Sequence, residues 1–127
     1  MSSAILDASA LLAFVNNEPG TERVLEVLPG AAISAVNFSE AIAKLAERGL
    51  AAHEIHTLLD EVGLEIVEFD ISLAYDAGLL RPLTRQAGLS FGDRACLALA
   101  RSLGLTAFTT DRAWSSLELD VTVEVIR

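Results

Sequence analysis

Five short apolar runs, separated by segments of helical pattern, constrain this chain more than any other feature. Residues 4–6, 31–34, 64–69, 105–109 and 121–126 read as strands, because short apolar runs bounded by turns suit strands buried on both faces. Residues 10–15, 21–28, 36–48, 52–62, 72–80 and 93–103 read as helices, with Thr21 as a cap and Pro29-Gly30, Gly49, Gly63, Pro82 and Gly104 as stops. Gly88-Leu89-Ser90-Phe91-Gly92 reads as a loop leading into the helix at 93–103. Strands joined through helices need crossover connections. The expected fold is therefore α/β, a three-layer α/β/α sandwich with a mostly parallel central sheet.

The 127 residues are enough for one domain spanning 1–127, and 52% of them are hydrophobic. Only 6% are aromatic, so Ala, Leu, Val and Ile must build the core. One Cys leaves no intramolecular disulfide and suits a reducing compartment. No apolar stretch nears the ~20 residues of a membrane span. The start lacks a basic leader before Asp7. A cytoplasmic protein without membrane association is the expectation.

Charge is uneven. Nine basic residues face 18 acidic ones, for a net charge of −9, which argues against a non-specific nucleic-acid binder. Residues 81–112 nevertheless hold five Arg against two Asp, a net of +3. The sole lysine is Lys44, so nearly all the positive charge is guanidinium, the group suited to paired contacts with phosphate or carboxylate.

In open α/β sheets, ligands bind beyond the carboxyl ends of the strands. Asp7 ends the first strand and Asp111 follows the fourth. Glu40 lies in the first turns of the helix after strand two, and Asp93 opens the helix after the glycine-bounded loop. Four carboxylates thus fall at one sheet edge. Two such charges ~4 Å apart repel by about 4 kcal/mol at an effective dielectric of ~20. A divalent cation removes the conflict, and an all-oxygen set suits Mg²⁺ or Mn²⁺. Such an ion activates water and stabilises a departing oxyanion. The plainer role for each acid is a helix cap or an ion pair.

The segments Ile5-Leu6-Asp7-Ala8-Ser9-Ala10-Leu11-Leu12, Ser34-Ala35-Val36-Asn37-Phe38-Ser39-Glu40, Leu89-Ser90-Phe91-Gly92-Asp93-Arg94-Ala95-Cys96-Leu97-Ala98-Leu99-Ala100 and Thr109-Thr110-Asp111-Arg112-Ala113-Trp114 resemble PIN domains. They are most similar to the VapC toxins of type II toxin–antitoxin systems. The resemblance runs in order over nearly the whole chain. It implies a Mg²⁺-dependent ribonuclease acting on RNA, a VapB-like antitoxin partner and a homodimer. Matched residue by residue, it implies catalytic roles for Asp7, Glu40, Asp93 and Asp111. Asp7 and Asp93 are then the direct metal ligands, and Glu40 and Asp111 support the metal or its waters. Phe91 stands where many relatives carry Leu.

Ser9 and Thr109 match hydroxyl positions of the same pattern and can hydrogen-bond the acids. Asn37 can orient Glu40 one turn away. Each of the three can equally serve as a cap or a strand end. His53 and His56 are spaced i, i+3 rather than as a zinc-protease pair and read as a solvated helix start. Cys96 and Trp114 read as core. Leu45, Leu50, Ile55, Leu58 and Leu59 suit either core packing or a partner surface. Arg81, Arg85 and Arg112 read as RNA contacts, and Arg101 as structural. A PIN-fold nuclease of RNA maturation or DNA processing, and a non-enzymatic antitoxin-binding protein, are the alternative functions. A phospho-acceptor receiver domain fits poorly, since Asp7 has no acidic neighbour.

Overall fold

The computed structural model describes residues 2–127. Strands β1 (Ala4–Leu6), β2 (Ala31–Ser34), β3 (Glu65–Val67), β4 (Thr106–Thr109) and β5 (Val123–Val125) form one sheet in the order β3-β2-β1-β4-β5. All four pairings are parallel. Helices α1 (Ala8–Val15), α2 (Thr21–Val27), α3 (Ala35–Glu47), α4 (Ala52–Val62), α5 (Ile71–Leu79), α6 (Arg81–Thr84) and α7 (Phe91–Leu103) connect the strands. Short 3-10 turns cover Leu28–Gly30 and Arg112–Ser116.

The sheet is buried on both faces, as its continuous apolar runs require. Alternation with period two sends Ile5, Ala32 and Ala107 to one face, against Leu73 and Ala77 of α5 and Leu97 of α7. The other face carries Leu6, Ile33 and Phe108, covered by α1, α2, α3 and α4. Cys96 and Trp114 lie within the first core, as expected. Side chains of the 36–62 region divide between two uses. Leu45, Ile55 and Leu59 are core, whereas Leu50 and Leu58 pack half-buried against it.

Three local expectations shift. Thr21 is the first residue of α2 rather than its cap, because Gly20 takes the cap position at φ 100°, a left-handed conformation open to glycine. Pro82 does not end the helical segment but sits in the first turn of α6, where its missing N–H costs nothing. Helix α7 begins at Phe91, two residues early, because Ser90 and Asp93 form a reciprocal capping box.

Candidate active site

The strand order reverses beside β1. The chain runs outward through β2 and β3, then returns to place β4 and β5 on the opposite side of β1. The crevice at such a switch point, beyond the carboxyl ends of β1 and β4, is where open α/β sheets bind ligands. Asp7 and Thr109 stand there, held level by the Leu6–Phe108 register and by the Asp7 N–H bond to the Phe108 carbonyl (3.1 Å). A cleft of about 220 Å³ opens at this place, lined by Asp7, Glu40, Asp93, Asp111, Asn37 and Lys44 among others. All four sequence-predicted acids are on it.

Asp7 is only 4% exposed. It caps α1 by accepting the Ala10 N–H at Oδ1 (2.8 Å). Ser9 Oγ donates to the same oxygen (2.7 Å), and Thr109 Oγ1 donates to Oδ2 (2.6 Å). Each hydroxyl is itself a backbone acceptor, Ser9 from Thr110 N–H (3.0 Å) and Thr109 from Asp111 N–H (3.1 Å). The loops after β1 and β4 are thereby stitched together through one carboxylate. Oδ1 has both lone pairs engaged, while Oδ2 keeps one free. Burial pushes the Asp7 carboxyl from 3.8 up to about 6; the bonds from Thr109, Ala10 and Ser9 pull it back, and the Asp93 charge adds to the rise.

Glu40 rises from α3. Asn37 Nδ2 donates to its Oε1 (3.1 Å) and to the Gly92 carbonyl on α7 (2.9 Å). Two acceptors on one nitrogen settle the orientation of the amide. Asn37 is buried, so this link is shielded from water. The Glu40 pKa is raised, first by burial and then by Asp93, while Asn37 and Lys44 lower it. Gly92 leaves the Glu40 carboxylate its place, because a Cβ at that position would overlap it and push the end of the side chain aside. Asp93 closes the capping box of α7, accepting the Ser90 N–H at Oδ2 (2.9 Å) and donating its own N–H to Ser90 Oγ (3.2 Å). Asp111 is exposed and caps the 3-10 turn by accepting the Ala113 N–H (2.9 Å). Three of the four acids therefore cap a helix or turn and line the cleft at once.

Among the described residues, no three His, Cys, Asp or Glu side chains form a ready-made metal-ligand set. The donors nevertheless fit a hard divalent cation. They are all oxygen, Asp7 Oδ2 retains a lone pair, and the Asp7 and Glu40 pKa values both rise partly through the Asp93 charge. Mg²⁺ keeps several of its waters and is commonly held by one or two carboxylates, so spaced acids suit it.

The arginines are placed differently from the acids. Arg94 turns inward, its Nη1 donating to the Ala77 carbonyl (3.0 Å) and its guanidinium lying over the Phe91 ring. Arg81 is exposed on α6, Arg85 is exposed just past its end, and Arg112 is exposed beside Asp111. Arg101 is half-buried near the start of β4. The cation that does line the cleft is Lys44, which sequence reasoning noted only for its rarity. Its spacing, one turn past Glu40 on α3, was the available signal. His53 and His56 are both exposed on α4, away from the cleft.

The structure is similar to that of DNA-bound VapBC from Salmonella typhimurium, at 23% identity and a TM-score of 0.77, covering 98% of each chain. VapBC2 of Rickettsia felis, bound to a promoter DNA fragment, gives 20% identity and a TM-score of 0.76, covering 95% of this chain and 96% of that one. VapC20 of Mycobacterium tuberculosis, a sarcin-ricin loop cleaving toxin, gives 18% and 0.76, covering 94% and 99%. At these identities the likeness is one of fold. No curated protein matches the sequence. The sequence pattern of the PIN domain matches residues 4–118, most of the chain and all four acids. The protein belongs to the PIN domain family.

Proposed function

We propose that this chain is a metal-dependent endoribonuclease and the toxin of a VapBC-type toxin–antitoxin pair, working in the cytoplasm. The observation that carries the reading is Asp7, a carboxylate buried at the sheet's switch point yet kept on a cleft shared with Glu40, Asp93 and Asp111. A buried acid with a raised pKa beside other acids is costly to the fold, which favours a functional origin. The VapBC neighbours and the PIN family membership support the same reading.

Asp7 and Asp93 would hold Mg²⁺ or Mn²⁺, with Glu40 and Asp111 orienting its waters. The chemistry the ion supplies when bound is a lowered pKa for the attacking water and compensation of charge at the phosphodiester. Ser9 and Thr109 keep Asp7 in one orientation, so its free lone pair faces a constant direction. Glu40, anchored at Oε1 by Asn37, keeps Oε2 available to take a proton from the attacking water. Cys96 offers no nucleophile, because it is buried and burial pushes its thiol well above the usual range; the reading uses activated water and no covalent intermediate.

The test is direct. Purified protein, freed of any antitoxin, is incubated with single-stranded RNA in Mg²⁺ or Mn²⁺, with EDTA and Asp93→Asn as controls. RNA left intact under every condition refutes the reading. Competition by DNA separates an RNA-directed enzyme from a DNA-processing one.

For the antitoxin, an apolar groove of about 470 Å³ runs between α3 and α4, lined by Phe38, Ile42, Leu50, Ile55, Leu59 and Ile66. An apolar segment of a VapB-like partner fits that lining. For the homodimer, Ile71, Tyr75 and Leu79 form an exposed stripe along one face of α5, each at least 70% exposed, and Leu83 of α6 extends it. This stripe, rather than the 36–62 region, is the surface we assign to self-pairing.

A further inference from the structure

We propose that Lys44 holds a backbone phosphate of the bound RNA strand at the rim of the acidic cleft. The inference rests on the nuclease reading and names a residue for substrate positioning. A polyanion approaching this protein meets a net charge of −9 and a cleft lined by four carboxylates. A divalent ion held by the acids would engage the scissile phosphate. A neighbouring phosphate of the strand is then best met by a cation of the protein's own at the same cleft. Lys44 is the only basic side chain on that lining, and it is the only lysine in the chain.

Its state fits the task. Lys44 is exposed, and among the described residues it makes no ion pair within 4 Å. It follows Glu40 by one turn, the spacing that favours a Glu–Lys pair on a helix, yet the ammonium remains uncommitted. The ion pairs that do form lie elsewhere, Arg23 with Glu26 and Glu124 and Arg127 with Glu18. Arg94, adjacent to Asp93 in sequence, is spent on the Ala77 carbonyl and the Phe91 ring. A lysine ammonium is a compact charge on a flexible stem with three donors, suited to following a phosphate without demanding one geometry.

A purely structural role is the rival, since Lys44 lies in the last turn of α3 and there complements the helix dipole. Salt dependence separates the two. Binding of a fluorescent single-stranded RNA is titrated from low to high salt in an Asp93→Asn background, so that cleavage does not intervene. Lys44→Gln should weaken binding on the order of tenfold and reduce the slope of log affinity against log salt by about 0.7, one single-strand phosphate contact. Lys44→Arg should keep the slope. Arg101→Gln, away from the cleft, should leave both quantities unchanged. Gln retains good helix propensity, and a thermal melt of each variant confirms the fold. An unchanged slope in Lys44→Gln, with the parent binding RNA, overturns this proposal and leaves the nuclease reading standing. A wild-type protein that neither binds nor cleaves RNA in Mg²⁺ or Mn²⁺ overturns both.

Discussion

Replacing Asp7 by Asn should stabilise the metal-free protein near neutral pH and destabilise it in mild acid. The carboxyl titrates at about 6 in the folded chain, against an ordinary 3.8. Between those values the native state binds more protons than the unfolded one, so stability falls as pH rises from about 4 to about 6. Above about 6 the penalty is complete, and a shift of about two units corresponds to roughly 3 kcal/mol. Asn carries no charge and removes it. The substitution also has a cost. Oδ1 can still accept from Ser9 and Ala10, but the new NH2 faces Thr109 Oγ1, which must reverse its proton. The nearest alternative acceptor is Ser9 Oγ, 3.4 Å away, so about 1 kcal/mol is lost. The expected net gain is ~2 kcal/mol near pH 7.5, turning into a loss of ~1 kcal/mol near pH 4. Urea denaturation in EDTA across that range measures both arms. Saturating Mg²⁺ should narrow or reverse the gain, because a ligand of the native wild type adds stability by mass action. A difference that does not change with pH, or a variant less stable near pH 7.5, would refute the account of Asp7 as a strained, buried anion.

Gly92→Ala should displace the Glu40 carboxylate from the cleft and reduce RNA cleavage about 100-fold. A thermal melt should move little, since the overlapping group is the end of a flexible side chain. Thr109→Val removes both the donor to Asp7 and the acceptor of the Asp111 N–H; it should cost about 1–3 kcal/mol near pH 7.5 and less near pH 5, by the same denaturation series. Asp93→Asn should abolish cleavage and weaken Mg²⁺ binding by calorimetry with the fold intact, and near-normal cleavage would show the site to be misplaced. Tyr75→Glu should convert a dimer to monomers in sedimentation equilibrium, and a wild type already monomeric at micromolar concentration refutes pairing through α5.

Much of this protein is set by local sequence. Apolar runs too short for helices, spaced by helical segments, dictate a parallel sheet covered on both faces, and the structure has that sheet. The strand-end position of Asp7, the Ser90–Asp93 capping box and the one-turn spacing of Asn37 and Glu40 are contacts within one element or its cap. Periodicity and cap chemistry govern such contacts, so sequence alone determines them. What tertiary structure decided involves partners far apart in the chain. The Leu6–Phe108 register brings Thr109 onto a carboxylate 102 residues away, and the packing of α3 on α7 sets Gly92 against Glu40. The packing of α7 on α5 turns Arg94 inward to Ala77, and Lys44 of α3 is left on the cleft. Residue type and spacing state what a side chain can bond. Only the relative placement of whole helices and strands, set by the burial of both sheet faces, states which partner it meets.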